Sequence, residues 1–308
     1  MRYPIIALVV ALLCLAFSAS AEEKPPIIDM HLHSYDETNY FVAPDTSGTM
    51  APPTVEAHFE ATYQSMRDNN VVLGVISNSR SSEATWMSQD VEDRFLRGYG
   101  WFRPSENGFA EFKALAEAGE VAVFGEIGAF YSGMTLADPY FEPYLAICEE
   151  LGIPVAIHTG GGPSGITYRG APNARIEQGN PYHLEDMLVK YPNLKVYLMH
   201  AGEAFYEEAA RLMIGHRQVY ADLGVVLWIH PATRHYGEEF LRLAKEFGLL
   251  DRVMFGSDQM VWPHAIEASI RKLESFDFLT EQDRRDILYN NAARFLELTD
   301  EQIEKHHR

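Results

Sequence analysis

Apolar residues in this chain fall into short blocks, and the blocks alternate between two periods. Runs rich in β-branched and aromatic residues occupy Ile27–His33, Val71–Ser77, Phe95–Phe102, Val121–Ile127, Pro154–His158, Lys195–His200, Val219–Leu223 and Val253–Ser257. Each has the length and composition of a strand. Between them, stretches such as Phe109–Ala118, Tyr140–Leu151, His183–Tyr191 and Gly237–Phe247 repeat apolar positions at helical spacing. Strand-then-helix alternation predicts parallel strands joined by crossover helices, and eight candidate strands predict an α/β fold of the (β/α)8 TIM-barrel type. The punctuation agrees: Gly152 and Pro154 stop one helix and open the next strand, and Tyr191-Pro192-Asn193-Leu194 does the same again.

The first residues follow neither period. Met1 and Arg2 make a short basic start, Ile5–Phe17 is apolar, and Ala19-Ser20-Ala21 offers the small residues of a cleavage site. This reads as a signal peptide over residues 1–21, with secretion across the inner membrane to the periplasm. The apolar run is shorter than the roughly 20 residues that a spanning helix needs, so no stable membrane anchor is expected after cleavage. Residues 22–308 are then one barrel domain, close to the roughly 250 residues typical of that fold. Cleavage would leave Cys148 as the one cysteine, within an apolar helical stretch, so no intramolecular disulfide is expected and the core must supply the stability.

Charge narrows the function classes. The net charge of −19 opposes binding to polyanions, and no basic run precedes the terminal Lys305-His306-His307-Arg308. No nucleic-acid partner is expected. Nothing in the pattern specifies an oligomeric state.

Candidate chemistry gathers where predicted strands end. His31 and His33 stand two apart on a strand and so share a face. Glu126 lies between apolar residues and glycines, where an unpaired carboxylate would be costly to bury and a cation would satisfy it. His158 and His200 each end a strand and precede a glycine, and Asp258 ends the eighth strand. Barrel enzymes assemble their sites from converging strand ends, so His31, His33, Glu126, His158, His200 and Asp258 are candidate metal ligands. Asp258 could also take a proton from an activated water.

These motifs carry a resemblance. His31-Leu32-His33, the Tyr191-Pro192-Asn193-Leu194-Lys195 approach to His200-Ala201-Gly202, Phe255-Gly256-Ser257-Asp258 and the closing helix Ile287–Phe295 with Asn291-Ala292-Ala293-Arg294 are similar to the amidohydrolase superfamily, specifically amidohydrolase family 2. The resemblance covers nearly all of residues 22–308. It implies a divalent metal held by His31, His33 and Asp258, with water attacking a carbonyl, phosphoryl or related centre. His158 and His200 would bind a second ion or orient the substrate, which makes Asp258 and His200 the implied catalytic pair. Many members of the group lack a fourth-strand carboxylate, whereas Glu126 resembles the bridging glutamate of binuclear relatives. The expectation is therefore two ions, with zinc suited to a histidine-rich site.

The function expected is hydrolysis of an amide, ester or lactone in a small, aromatic or carboxylated substrate. Non-oxidative decarboxylation of an aromatic acid is the alternative, and a non-catalytic periplasmic binder of metal or solute is a third class. The glycine-rich loop 159–181 follows the His158 strand and carries Tyr168, Arg169 and Arg175. These three, with Trp262, are the candidate substrate-binding residues, and the two arginines are expected to meet a substrate anion.

Overall fold

The computed structural model describes residues 24–308, so the expected signal segment 1–21 lies outside the described residues. Eight strands follow in order: β1 Ile27–His33, β2 Val71–Ser77, β3 Phe95–Arg97, β4 Phe124–Ile127, β5 Val155–His158, β6 Val196–Met199, β7 Val219–Asp222 and β8 Val253–Met254. All adjacent pairs are parallel, in two arcs, β1-β2-β3 and β4-β5-β6-β7-β8. Individual hydrogen bonds bridge both seams. Tyr99 N–H donates to the Val123 carbonyl and Ala122 N–H to that of Arg97, each at 2.8 Å, while Met30 N–H donates to Phe255 at 2.9 Å and Asp258 N–H to His31 at 2.8 Å.

Helices return the chain between strands: α1 Val55–Asp68, α2 Arg80–Gln89, α3 Gly108–Glu117, α4 Glu142–Leu151, α5 Glu185–Lys190, α6 Tyr206–Gly215, α7 Pro231–Glu246 and α8 Ala265–Glu274. Their ends follow local chemistry. The Thr54 hydroxyl accepts from Ala57 N–H to start α1, and Gly152 ends α4 at φ 69°, a left-handed conformation that glycine adopts without steric cost. After α8 come α9 Glu281–Arg285, a wide turn Asp286–Asn290, α10 Asn291–Phe295 and α11 Asp300–His306. Among the described residues no helix is long and apolar enough to cross a membrane.

Three sequence expectations are corrected in detail. The third strand pairs only over Phe95–Arg97, then continues as single bridges at Gly98 and Trp101. A Cβ at Gly98 would lie 2.7 Å from the carbonyls of both Ile76 and Gly125, so only glycine lets the chain pass this close to both neighbouring strands. Helix α7 begins at Pro231 rather than Gly237, because proline at the first helical position brings a fitting φ and no N–H to satisfy. The expected closing helix 287–295 is continuous but starts earlier, at Glu281, and carries the wide turn Asp286–Asn290 within it.

Side-chain alternation separates two apolar regions. Ile28, Met30, Leu73, Val75, Val123, Ala156, Tyr197, Met199 and Met254 cluster with one another and with Tyr289, Ala292 and Phe295. Their strand neighbours Ile76, Phe124, Val155, Ile157, Val196, Leu198, Val219 and Val253 pack against the helices. Phe124 stacks on Tyr144 of α4 with centroids 5.2 Å apart and planes within 5°. Truncating so enclosed a ring to alanine costs about 3–5 kcal/mol. The core thus fixes the strand ends from which the polar site projects.

Candidate metal centre

Two local departures from regular strand geometry aim the histidines. In β1 the pairing with β2 slips between Asp29 and Leu32. Met30 accordingly packs in the inner cluster and Leu32 against the helices, with His31 and His33 either side of Leu32. Such bulges often re-aim side chains beside active sites. After β6 the backbone turns left-handed at four successive residues, His200 (φ 65°), Ala201 (51°), Gly202 (83°) and Glu203 (48°). Met199 already faces the inner cluster, so a regular strand would aim His200 the other way. Left-handed non-glycine residues are costly, and three hydrogen bonds hold this turn. Asp222 Oδ1 accepts from His200 N–H at 2.9 Å, Thr159 Oγ1 from Gly202 N–H at 3.0 Å, and the Glu203 carboxylate from Gly161 N–H at 2.7 Å.

The structure brings all six sequence-predicted ligands together, each buried. His33 Nε2 lies 3.1 Å from Asp258 Oδ1 and 3.3 Å from Glu126 Oε2, and His31 Nε2 lies 3.8 and 3.6 Å from the same two oxygens. Four donors around a tetrahedral ion at roughly 2.0–2.1 Å would be separated by about 3.3–3.4 Å. Two triads, one of His31, His33 and Asp258 and one of His31, Glu126 and His200, each bring one ligand-type atom per residue within 4.8 Å of one another, and such donor sets fit a divalent cation. His31 Nε2 and Asp258 Oδ1 are moreover buried without a hydrogen-bond partner among the described residues, the state expected of atoms reserved for coordination.

Glu126 faces two ways. Its Oε2 belongs to the group just described, while Oε1 lies 2.6 Å from His158 Nδ1 and 3.7 Å from His200 Nε2. His200 Nε2 is in turn 2.9 Å from His158 Nδ1. Two of these separations are hydrogen-bonding distances, shorter than those across a tetrahedral ion.

Mutual charge outweighs desolvation at several of these groups. Burial disfavours an ionised Glu126, yet hydrogen bonding and charge from His158, His200 and His31 hold its carboxyl well below the usual range. Asp258 is lowered against burial by His31 and His33. His31 is raised against burial by Asp258 and Asp222, and His200 likewise by Glu126 and Asp258, whereas burial and the adjacent His200 lower His158.

A second layer of acids and amides was not picked out from sequence. Asp222, wholly buried at the end of β7, accepts from His31 Nδ1 at 3.0 Å through Oδ2, which leaves Nε2 free to face the donor group. Asp29 Oδ1 accepts the backbone N–H groups of His31 and Ser257 at 3.0 and 2.9 Å. Gln259 brackets His33, accepting from its N–H at 2.9 Å and donating to its carbonyl at 2.8 Å. Asp222 did carry a signal, since it ends a predicted strand as Asp258 does.

The expected substrate residues sit differently. Arg169 donates to the Ser164 carbonyl at 2.9 Å, and Arg175 donates to those of Pro172 and Ala174 at 2.9 and 2.7 Å. Both guanidinium groups are thus engaged within their own loop. Tyr168 is 92% exposed. Trp262 is buried, donates to the Ala43 carbonyl at 2.9 Å and packs with Tyr35 and Trp228. Nearer the ligands are two aromatic residues following β4. Phe130 stacks on His158 at 4.7 Å and 16°, while the Tyr131 ring lies 5.3 Å from the same imidazole, inclined at 56°.

Comparison with known proteins places this arrangement. An amidohydrolase family model matches residues 28–298. The curated protein fluG of Emericella nidulans is 26% identical over 163 residues, which is 48% of this chain but 18% of that relative. The chain resembles the uncharacterized TIM-barrel protein Bb4693 of Bordetella bronchiseptica at a TM-score of 0.67 and 22% identity, covering 88% of this chain and 98% of that one. It also resembles a probable 2-pyrone-4,6-dicarboxylic acid hydrolase of Acinetobacter baumannii, with TM-score 0.60, 16% identity and coverage of 88% and 99%. A third similar structure is the 5-carboxyvanillate decarboxylase LigW2 of Novosphingobium aromaticivorans with bound manganese, at TM-score 0.56, 16% identity and coverage of 77% and 80%. At these identities the structural likeness speaks for the fold, and the family model supplies the membership: this chain belongs to the amidohydrolase family and has its TIM-barrel fold.

Proposed function

We propose that this protein is a metal-dependent hydrolase that adds water to the carbonyl carbon of a small amide, ester or lactone. The observation that carries the reading is the convergence of His31, His33 and Asp258, with Glu126 beside them, at separations of 3.1–3.8 Å, near those across a tetrahedral cation. His31, His33 and Asp258 would hold one ion. Glu126, His158 and His200 would hold a second, their present contacts of 2.6 and 2.9 Å opening by about 0.4–0.8 Å. Zinc is the ion proposed for such a histidine-rich set. A bound divalent ion of this kind acidifies water towards a pKa of roughly 7 and polarises a carbonyl.

The chain's own residues account for proton traffic and orientation. Asp258, held ionised by His31 and His33, accepts a proton from the attacking water and returns it to the leaving nitrogen or oxygen as the scissile bond breaks. His200, fixed by the left-handed turn and by Asp222, keeps Nε2 turned toward Glu126 and His158 while Nδ1 donates to the Gly224 carbonyl. The small substrate would be met in the periplasm, after removal of residues 1–21.

The test is elemental analysis of protein purified without chelator, followed by turnover of an ester, amide and lactone panel before and after metal removal. Two equivalents of metal and metal-dependent hydrolysis are expected. Carbon dioxide release from hydroxybenzoic acids, with no hydrolysis of the panel, would replace this reading with a decarboxylase. Tight metal binding with no turnover of either kind would replace it with a binder.

A further inference from the structure

We propose that Tyr131 is a catalytic hydrogen-bond donor, its phenol hydroxyl stabilising the negative charge that develops on the substrate oxygen; the assignment rests on the hydrolase reading above. Tyr131 lies on the short helical turn Ala129–Ser132, reached directly from the Glu126 strand. Its neighbour Phe130 is buried and lies flat against His158, as a packing residue does. Tyr131 is only half-buried, and its ring crosses the same imidazole at 56°. Its hydroxyl makes no hydrogen bond to any described residue, a state shared with Tyr35, Tyr168, Tyr182, Tyr206, Tyr220 and Tyr236, but among these its ring lies nearest a candidate ligand, 5.3 Å from His158 against 6.5 Å between Tyr35 and His33.

Backbone free of side chains packs closely around that group. A side chain on Gly128 would come within 2.7 Å of the Tyr131 ring, and a Cβ on Gly162 would sit 3.2 Å from the hydroxyl oxygen. Gly162 adopts φ 63°, and its neighbour Gly161 is tied down by the Glu203 carboxylate. The loop after β5 therefore approaches the phenol closely but offers it no acceptor. A phenol with an ordinary pKa of about 10 is protonated at neutral pH and presents one O–H donor. As water adds to the carbonyl carbon, the C=O π pair moves onto oxygen. Tyr131 donates to that oxygen without giving up its proton, and the donation ends when the pair returns and the leaving group departs with its own electron pair.

The experiment compares wild type with Tyr131→Phe, both metal-loaded, after confirming equal metal content and thermal midpoint. Turnover is measured with p-nitrophenyl acetate, and binding of methylphosphonate, a stable tetrahedral anion, is measured by calorimetry. Tyr131→Phe is expected to lower kcat about 10²–10³-fold with KM little changed, and to weaken methylphosphonate about 10- to 100-fold. Unchanged kcat and unchanged methylphosphonate affinity would overturn the role of Tyr131 and leave the hydrolase reading intact. Methylphosphonate binding that depends on Tyr131, in a protein that hydrolyses no ester, would sustain the donor and overturn the hydrolase reading instead. A wild type that binds no methylphosphonate and turns over no ester would overturn both.

Discussion

Replacing Asp222 by asparagine tests the logic of the site most directly, because the change is nearly isosteric and reverses one hydrogen bond. Asp222 is wholly buried, with Oδ2 3.0 Å from His31 Nδ1 and Oδ1 accepting from His200 N–H at 2.9 Å and Gly224 N–H at 2.8 Å. Asparagine can keep its oxygen at the two backbone donors, so the strained turn after β6 survives. Its NH2 then faces His31 Nδ1, and two donors oppose each other unless the imidazole moves its proton to Nε2. That proton would occupy the lone pair aimed at Glu126 and Asp258. A hydrogen bond to a charged group contributes about 1.5–3 kcal/mol, and loss of a partner that orients a metal-bound histidine costs about 10- to 100-fold in metal affinity, or about 1.4–2.8 kcal/mol. The two routes agree. Asp222→Asn should therefore bind zinc about 10- to 100-fold more weakly in competition with a chromogenic chelator, while still folding. Zinc affinity within twofold of wild type would refute the assignment of Asp222 as the group that sets the His31 tautomer.

Three further outcomes are expected. Glu126→Gln should reduce metal content from two equivalents to one or fewer by elemental analysis, since an amide offers one neutral acceptor where the carboxylate faces two donor groups; two retained equivalents would dismiss the bridge. His58, buried on α1 with Nε2 donating to the Met260 carbonyl, has its pKa lowered by burial from 6.5 to about 4. The unfolded chain then binds the extra proton between those values, so stability rises with pH through this window by up to about 3 kcal/mol and is lost on acidification. The urea midpoint of His58→Gln should fall less steeply between pH 7 and 4.5, and parallel profiles would contradict this account. Gly179→Ala should loosen the loop after β5, because the new Cβ would clash with the Gly160 carbonyl oxygen; limited proteolysis within 159–181 should speed up, and unchanged cleavage would show that the loop adjusts freely.

Much of this protein is determined locally. A period of two ending at a turn marked the strand ends, and strand ends in a parallel barrel lie at one rim, so His31, His33, Glu126, His158, His200 and Asp258 all follow from their places in the sequence. The helix stop at Gly152 depends on neighbours within a few residues and was equally readable. Tertiary structure decided what depends on distant partners. Asp222 matters through a histidine 191 positions away, and periodicity carries no trace of that contact. His200 turns toward the site only because Asp222, Thr159 and Glu203 hold a left-handed backbone that local preference disfavours. The loop arginines invited an anion-binding reading by type and place. Which carbonyls the folded loop turns toward those guanidinium groups is a tertiary matter, and here Arg169 and Arg175 each donate to their own loop through one terminal nitrogen.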